Sequence, residues 1–423
     1  MSKFISAEEY CIKVFDGTHD TPKPLDSGFP LVTSKHIVGR NLDFSTAYFI
    51  SENDYNSIQK RSAVSQWDVL FSMIGSVGEV YLEKNSIIPY AIKNIGVFSC
   101  GDEFKAKWLY YFLQSPHAIT HIKRYLNGAV QKFLPLGALR NFPIFEFNKN
   151  SKIITKVLSD LDTKIELNNR INRELEAMAK TLYDYWFVQF DFPNEQGKPY
   201  KSTGGKMVYN AELKREIPEG WEVKNIFKCS NVQYGFPFST DYFNTDGKGV
   251  PVIRIRDILE NSISNYSFEQ NIDAKYLIKK GDILVGMDGN FHINYWAKDG
   301  CYLNQRAVKL SETILPNIYL KYQIEPFIKL REKSVSRTTV GHLSDKDLKA
   351  LSIIIPSKEV LSSISSIYNG LLKRMIQTQN ENQQLTELRD WLLPMLMNGQ
   401  VTVKEAEERL RMAAEPSVEY KKG

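Results

Sequence analysis

The sequence predicts an α+β protein in which two repeated globular modules alternate with two long helices. The helices are expected to pair antiparallel as a coiled coil, giving the chain a pseudo-two-fold plan. Three observations predict this. Two seams of apolar residues recur about 210 positions apart, two sets of glycine-bounded apolar runs recur with them, and both seams are broken at the same point. At 423 residues, with 43% hydrophobic and 12% aromatic content, the chain has material for more than one core.

The first module is assigned to residues 1–148. Val69-Leu-Phe-Ser-Met-Ile74 reads as a strand bounded by glycine, and Glu103–Leu113 as a helix. The first long helix occupies 149–190, with its seam at Ile154, Leu158, Leu161, Ile165, Leu175, Ala179 and Leu182 on alternating steps of four and three. Asn168 and Asn172 interrupt it. Residues 191–356 hold a connection, rich in glycine and proline over 193–220, and the second module.

In the second module, Gly249-Val-Pro-Val-Ile253 repeats Gly28-Phe-Pro-Leu-Val32, and Gly281-Asp-Ile-Leu-Val-Gly-Met-Asp-Gly289 repeats Trp67–Gly75. The offset falls from 221 to 214 and then to 210 (Pro116 to Pro326), so loop lengths drift while a framework persists. Asn317–Glu332 reads as this module's helix. The second long helix occupies 357–400, with its seam at Ile364, Tyr368, Leu371, Met375, Leu385 and Leu392. It is interrupted at Thr378 and Asn382 and weakened at Arg389, where Leu388 is the expected substitute. An in-register antiparallel pairing sets Asn168 opposite Thr378, a polar layer that penalises slipped registers. Residues 401–423 form a tail without an assigned role.

Charge is uninformative by itself. The chain carries net +5, and residues 1–148 hold 15 basic against 14 acidic groups. Nucleic-acid binding then requires basic groups gathered on one face. Cys11, Cys100, Cys229 and Cys301 form no CxxC pair, so neither a zinc site nor a disulfide framework is expected. No apolar run approaches membrane-span length, and a reducing cytoplasm is the expected location.

Several chemistries lack their motifs. There is no Pro-Pro dipeptide for the adenine-holding turn of an amino-methyltransferase, no GxxxxGK[ST] phosphate loop, and no Pro-Asp upstream of the carboxylate-x-Lys triplets, Asp162-Thr-Lys164 among them. His117 and His121, at i and i+4, have no further clustered ligand, so a surface helix face is expected rather than a metal site.

Against that background a family resemblance becomes specific. Asp16-Gly-Thr-His-Asp-Thr-Pro22 and Gly281-Asp-Ile-Leu284 resemble the target-recognition domains of Type I restriction-modification specificity subunits. Leu182-Tyr-Asp-Tyr-Trp-Phe187 with Phe190-Asp-Phe-Pro193 is similar to that family's central conserved region, and Pro218-Glu-Gly-Trp221 to its usual entry into the second recognition domain. The resemblance covers almost everything before Val401. It implies a non-catalytic subunit that reads a split, asymmetric site in double-stranded DNA through two recognition domains held apart by the helices. It also implies two methyltransferase subunits and two motor-nuclease subunits as partners, no membrane, and no cofactor on this chain; S-adenosylmethionine, ATP and Mg would act on the partners.

The helices suit that role. Residues 154 to 182 are 28 steps, about 42 Å at ~1.5 Å per residue, a little over one DNA turn of ~34–36 Å. A combined restriction nuclease and a coiled-coil scaffold without DNA binding remain the alternatives.

Candidate DNA contacts follow from paired positions. Thr33 and Lys35 correspond to Arg254 and Arg256 at offset 221, and Gln131 and Lys132 to Gly341 and His342 at offset 210. Asn304 and Gln305 have amides suited to adenine, and Arg306 adjoins them. Lys329, Arg331, Lys333 and Arg337 form a basic run suited to the phosphate backbone. Arg254 or Arg256 is the expected base reader.

Overall fold

The computed structural model describes residues 3–126, 133–311, 313–335, 341–401 and 404–405. The chain divides into two compact units, 1–164 with 384–423, and 165–383. The boundary cuts both long helices instead of setting them apart as segments, because each end of each helix packs into the core of one module.

In the first unit a four-stranded antiparallel sheet runs in the order Lys13–Asp16, Ile95–Ser99, Asp68–Ser72, Val80–Leu82. Its central strands bury Val69, Leu70, Phe71, Val97 and Phe98, with Phe71 and Phe98 edge to face at 6.1 Å. A second sheet places Phe29–Thr33 between Phe49–Ile50 and Ala91–Lys93, pairing in parallel with the latter. The helix Glu103–Leu113 starts where the Asp102 side chain accepts from the Lys105 backbone N–H. It buries Trp108, whose Nε1 donates to the Phe145 carbonyl at 3.1 Å.

The second unit repeats the plan. Its four-stranded sheet runs Asn231–Tyr234, Ala307–Ser311, Ile283–Gly286, Ile293–Tyr295, and Val250–Ile253 pairs in parallel with Cys301–Leu303. The helix Asn317–Val335 packs beside it around Tyr319 and Ile328, both buried. One stretch departs from the sequence reading. Residues 193–220 are not merely a connection: Met207–Asn210 and Arg215–Pro218 form a hairpin. Behind it Trp221 stacks on Phe192 at 5.1 Å and meets Phe187 and Phe190, so the residues after the first helix anchor it in a shared aromatic core.

The long helices run Lys149–Tyr183 and Lys358–Met397. In the first unit, Leu158, Leu161 and half-buried Ile154 share a core with Leu392, Leu393 and half-buried Leu385 and Leu388. In the second unit, Ala179 and half-buried Leu175 and Leu182 share one with Ile364, Tyr368, Leu372 and Met375, and Leu371 is half-buried beside them. The Tyr368 hydroxyl donates to the Ala179 carbonyl at 3.2 Å.

The polar layer is bonded differently from expectation. Thr378 donates to Asn172 at 2.8 Å, whereas Asn168 donates to Glu381 at 2.9 Å, and the Asn382 amide reaches Ile165 O and Asn169. Buried asparagine and threonine seek partners, and these pair in part, with Asn168 Oδ1 and Asn382 Oδ1 left without one among the described residues. Arg389 also differs from expectation. It is buried in the seam itself, with Nη1 2.8 Å from Asp162, the aspartate of a triplet that reads as chance in the sequence.

Candidate nucleic-acid interface

Each unit gathers polar side chains around a turn that ends a strand of its second sheet. In the first unit the strand Phe29–Thr33 ends in a single turn, Ser34–His36, and the Thr33 N–H donates to His36 Nδ1 at 2.8 Å. Burial, then the charge of Lys35, hold the His36 imidazole below its ordinary range, which keeps Nδ1 free to accept. Ser34 donates to the Asn94 carbonyl, and Asn94 Oδ1 meets His19 at 2.7 Å. Lys35 is exposed and Thr33 half-buried on this turn.

The second unit builds the same turn 221 residues later. Val250–Ile253 ends in Ile255–Asp257, and the Arg254 N–H donates to Asp257 Oδ2 at 2.9 Å. Arg254 and Arg256 are drawn together by Asn265: Arg254 Nη1 lies 3.3 Å from Asn265 Oδ1, Arg256 Nη2 bonds to the same oxygen, and Arg256 Nε donates to Ser264 at 3.0 Å. Asn265 is buried, so two guanidinium groups share a fixed acceptor.

The next candidates adjoin them. The Asn304 N–H donates to the Ile253 carbonyl, immediately before Arg254. Asn304 is buried, and its Oδ1 accepts from the Arg306 N–H at 3.3 Å, so it shapes the loop from within; Gln305 is exposed. Arg306 Nη1 and His342 Nδ1 both bond to Asp288, at 2.6 and 2.5 Å. Burial raises the Asp288 pKa, but the bonds from His342 and Arg306 outweigh it and hold the carboxyl below its ordinary value.

The remaining candidates are not gathered with these. Lys329 pairs with Glu325 at 2.8 Å and Arg331 with Asp347 at 3.0 Å, so two members of the basic run are occupied by carboxylates. Gln131, Lys132 and Arg337 lie outside the described residues. His117 and His121 pack edge-on against Phe145 and Phe142, and the described residues contain no group of three or more metal ligands.

Sequence reasoning missed Asn265, Asp288, Lys93 and Asn94. The first two carry no sign of their role in a linear reading. Lys93 occupies the position of Asn304: the bridges Thr18–Lys93 and Phe236–Asn304 are equivalent, at offsets of 218 and 211. A glycine precedes each bridge, and a Cβ on Gly17 would meet the Ile92 carbonyl oxygen at 2.5 Å while one on Gly235 would collide with the Asn304 carbonyl.

No helix among the described residues is long and apolar enough to cross a membrane. The chain is 27% identical over 352 residues to the Type I restriction enzyme MjaIX specificity subunit of Methanocaldococcus jannaschii, covering 80% of this chain and 78% of that one. It is 26% identical over 213 residues to the EcoBI specificity subunit of Escherichia coli, covering 49% of this chain and 45% of the relative. Its fold resembles the crystal structure of a Type I restriction-modification S subunit from M. genitalium, with a TM-score of 0.51 at 16% identity over 93% of this chain and 95% of the other. The model of the Type I restriction modification DNA specificity domain matches residues 30–177 and 218–387, about three quarters of the sequence, so the chain belongs to this family.

Proposed function

We propose that this specificity subunit reads a two-part, asymmetric DNA site, one half through each unit, and delivers adenines in both halves to methyltransferase partners. The observation that carries the reading is the repeated turn: Thr33–His36 and Arg254–Asp257 share a backbone and a capping bond but present different side chains. One scaffold with two unlike surfaces suits two unlike half-sites.

Arg254 and Arg256, with the exposed Gln305 and Arg306, are the proposed base readers of the second half; Thr33 and Lys35 serve the first half, Lys35 through the backbone. The paired helices, as a coiled coil, set the unread gap. Two methyltransferase subunits and two motor-nuclease subunits dock on the complex and supply S-adenosylmethionine, ATP and Mg chemistry, and this chain contributes positioning. Adenine extrusion takes place into the partner's pocket.

The test is single-molecule sequencing of adenine methylation in cells expressing this chain with its methyltransferase. A split motif with two unlike halves and a fixed gap is the expected result. Methylation unchanged from the methyltransferase alone would overturn the reading.

A further inference from the structure

Both sheet ends carry a carboxylate that holds one histidine and one arginine, although the two come from different strands. In the first unit Asp16 ends the edge strand Lys13–Asp16 and lies 3.0 Å from His19 Nε2 and 3.4 Å from Arg61 Nη2. In the second unit Asp288 follows the strand Ile283–Gly286, lying 2.5 Å from His342 Nδ1 and 2.6 Å from Arg306 Nη1. Lys13–Asp16 and Asp68–Ser72 both pair antiparallel with Ile95–Ser99, so they run parallel and end on the same side. Asp68–Ser72 is the counterpart of Ile283–Gly286 by its place in the sheet. The two carboxylates therefore occupy the same end of equivalent sheets.

Their surroundings match as well. The Asp16 and Asp288 side chains are 9% and 19% exposed, and the histidines and arginines they hold are 57–66% exposed. A sunken carboxylate under exposed donors fixes their direction without covering them. The residue at the Asp288 position in the first unit is Ile74, in the repeated Trp67–Gly75 motif, so the two clamps are not inherited from one ancestral pair. Each clamp also touches the repeated turn. His19 meets Asn94, to whose carbonyl Ser34 donates; the Arg306 N–H donates to Asn304, which donates to Ile253.

We propose that Asp288 is a positioning residue for base reading by the second unit, holding Arg306 so that its remaining N–H donors face a guanine edge, and that Asp16 serves the first unit in the same way. The proposal rests on the DNA-reading role above. A guanidinium has five donors, and Asp288 is bonded to one Nη1, leaving enough for a bidentate contact to guanine O6 and N7. A free arginine samples many rotamers and satisfies any phosphate. One tied to a carboxylate is set in direction, and the carboxylate beneath it repels a phosphate brought close. The clamp thus trades general attraction for discrimination.

The sign of the effect separates this from an ordinary surface ion pair. The full chain, assembled with its methyltransferase, is titrated with duplexes carrying the methylation-defined site, the site with one half scrambled, and unrelated DNA. Asp288→Asn is expected to lower discrimination at the second half about tenfold, while binding to unrelated DNA stays level or tightens and the first half is read as before. Asp16→Asn is expected to do the reverse. In an Arg306→Ala background Asp288→Asn should add nothing to the loss of discrimination, as for two residues acting as one unit.

Three results would overturn the proposal. One is tighter binding to every duplex with discrimination intact, which marks Arg306 as a phosphate contact. Another is additive losses in the double variant. The third is a weakening of all binding together with a lower melting temperature, which marks Asp288 as structural. If the unaltered complex itself shows no preference for the site over its scrambles, the reading role fails first and takes the clamp with it.

Discussion

The two units share a backbone plan and differ in what they bury between the helices and in what they expose at the sheet end. Between the helices the first unit buries an ion pair, Asp162 with Arg389, joined by the Tyr111 hydroxyl at 2.6 Å and by Arg40. The second unit has amides and a hydroxyl in its own stretch of the helices, Asn168, Asn172 and Thr378. A buried ion pair punishes the loss of either partner because the survivor is left charged and dry. An amide layer punishes loss less, because a neutral group is left behind. Burial alone lowers the Arg389 pKa, but the two carboxylates, Asp162 above all, more than offset it and raise it overall.

That difference sets the largest expected effect. Arg389→Ala should destabilise the protein by about 3–5 kcal/mol, read as a shift in the urea midpoint. A loss no greater than that of an exposed lysine would show that the seam does not need the pair. Next come the glycines that the two sheet ends share. Gly17→Ala and Gly235→Ala each force a Cβ against a carbonyl of the neighbouring strand and should cost about 1–3 kcal/mol in thermal unfolding. If one is tolerated and the other is not, the two ends are less alike than their hydrogen bonds suggest.

The sheet ends themselves differ in charge, and that is tested by specificity. Replacing Arg254 and Arg256 by alanine should reduce preference for the second half-site roughly tenfold, about 1.4 kcal/mol, with the first half unaffected. Unchanged half-site preference in a competition assay would remove both from the reading surface. The smallest effect is expected at the amide layer: Thr378→Val should cost about 1 kcal/mol, well below the loss at Arg389. Equal losses would erase the contrast between the two stretches of the helix pair.

Much of this frame was legible in the linear sequence because it rests on periodicity. The strand runs at Val69 and Ile283 and the helix seams at Leu158 and Tyr368 are patterns of apolar residues, and apolar burial obeys spacing. The repeated turn was legible too, because Gly-x-Pro precedes it in both modules. The hydrogen-bond partners between the helices were not. Apolar seams tolerate a slip of one turn, and the polar partners that select Asn172 for Thr378 over Asn168 are visible only once the helices are side by side.

The sheet ends divide in the same way. Arg254, Arg256, Arg306 and His342 could be singled out from sequence as donors in polar loops at repeated places. Asn265 and Asp288, which organise them, could not. Asn265 lies nine residues beyond Arg256 on another strand, and Asp288 meets a histidine 54 positions away. Hydrogen bonds join groups close in space, and no spacing rule links residues of separate loops. By itself the amino-acid sequence determined two modules, two helices and a family of DNA specificity domains, because duplication and apolar periodicity are written along the chain. Only the tertiary structure decided which charges are buried together and which are held outward, because that depends on the few ångströms between side chains that folding brings into contact.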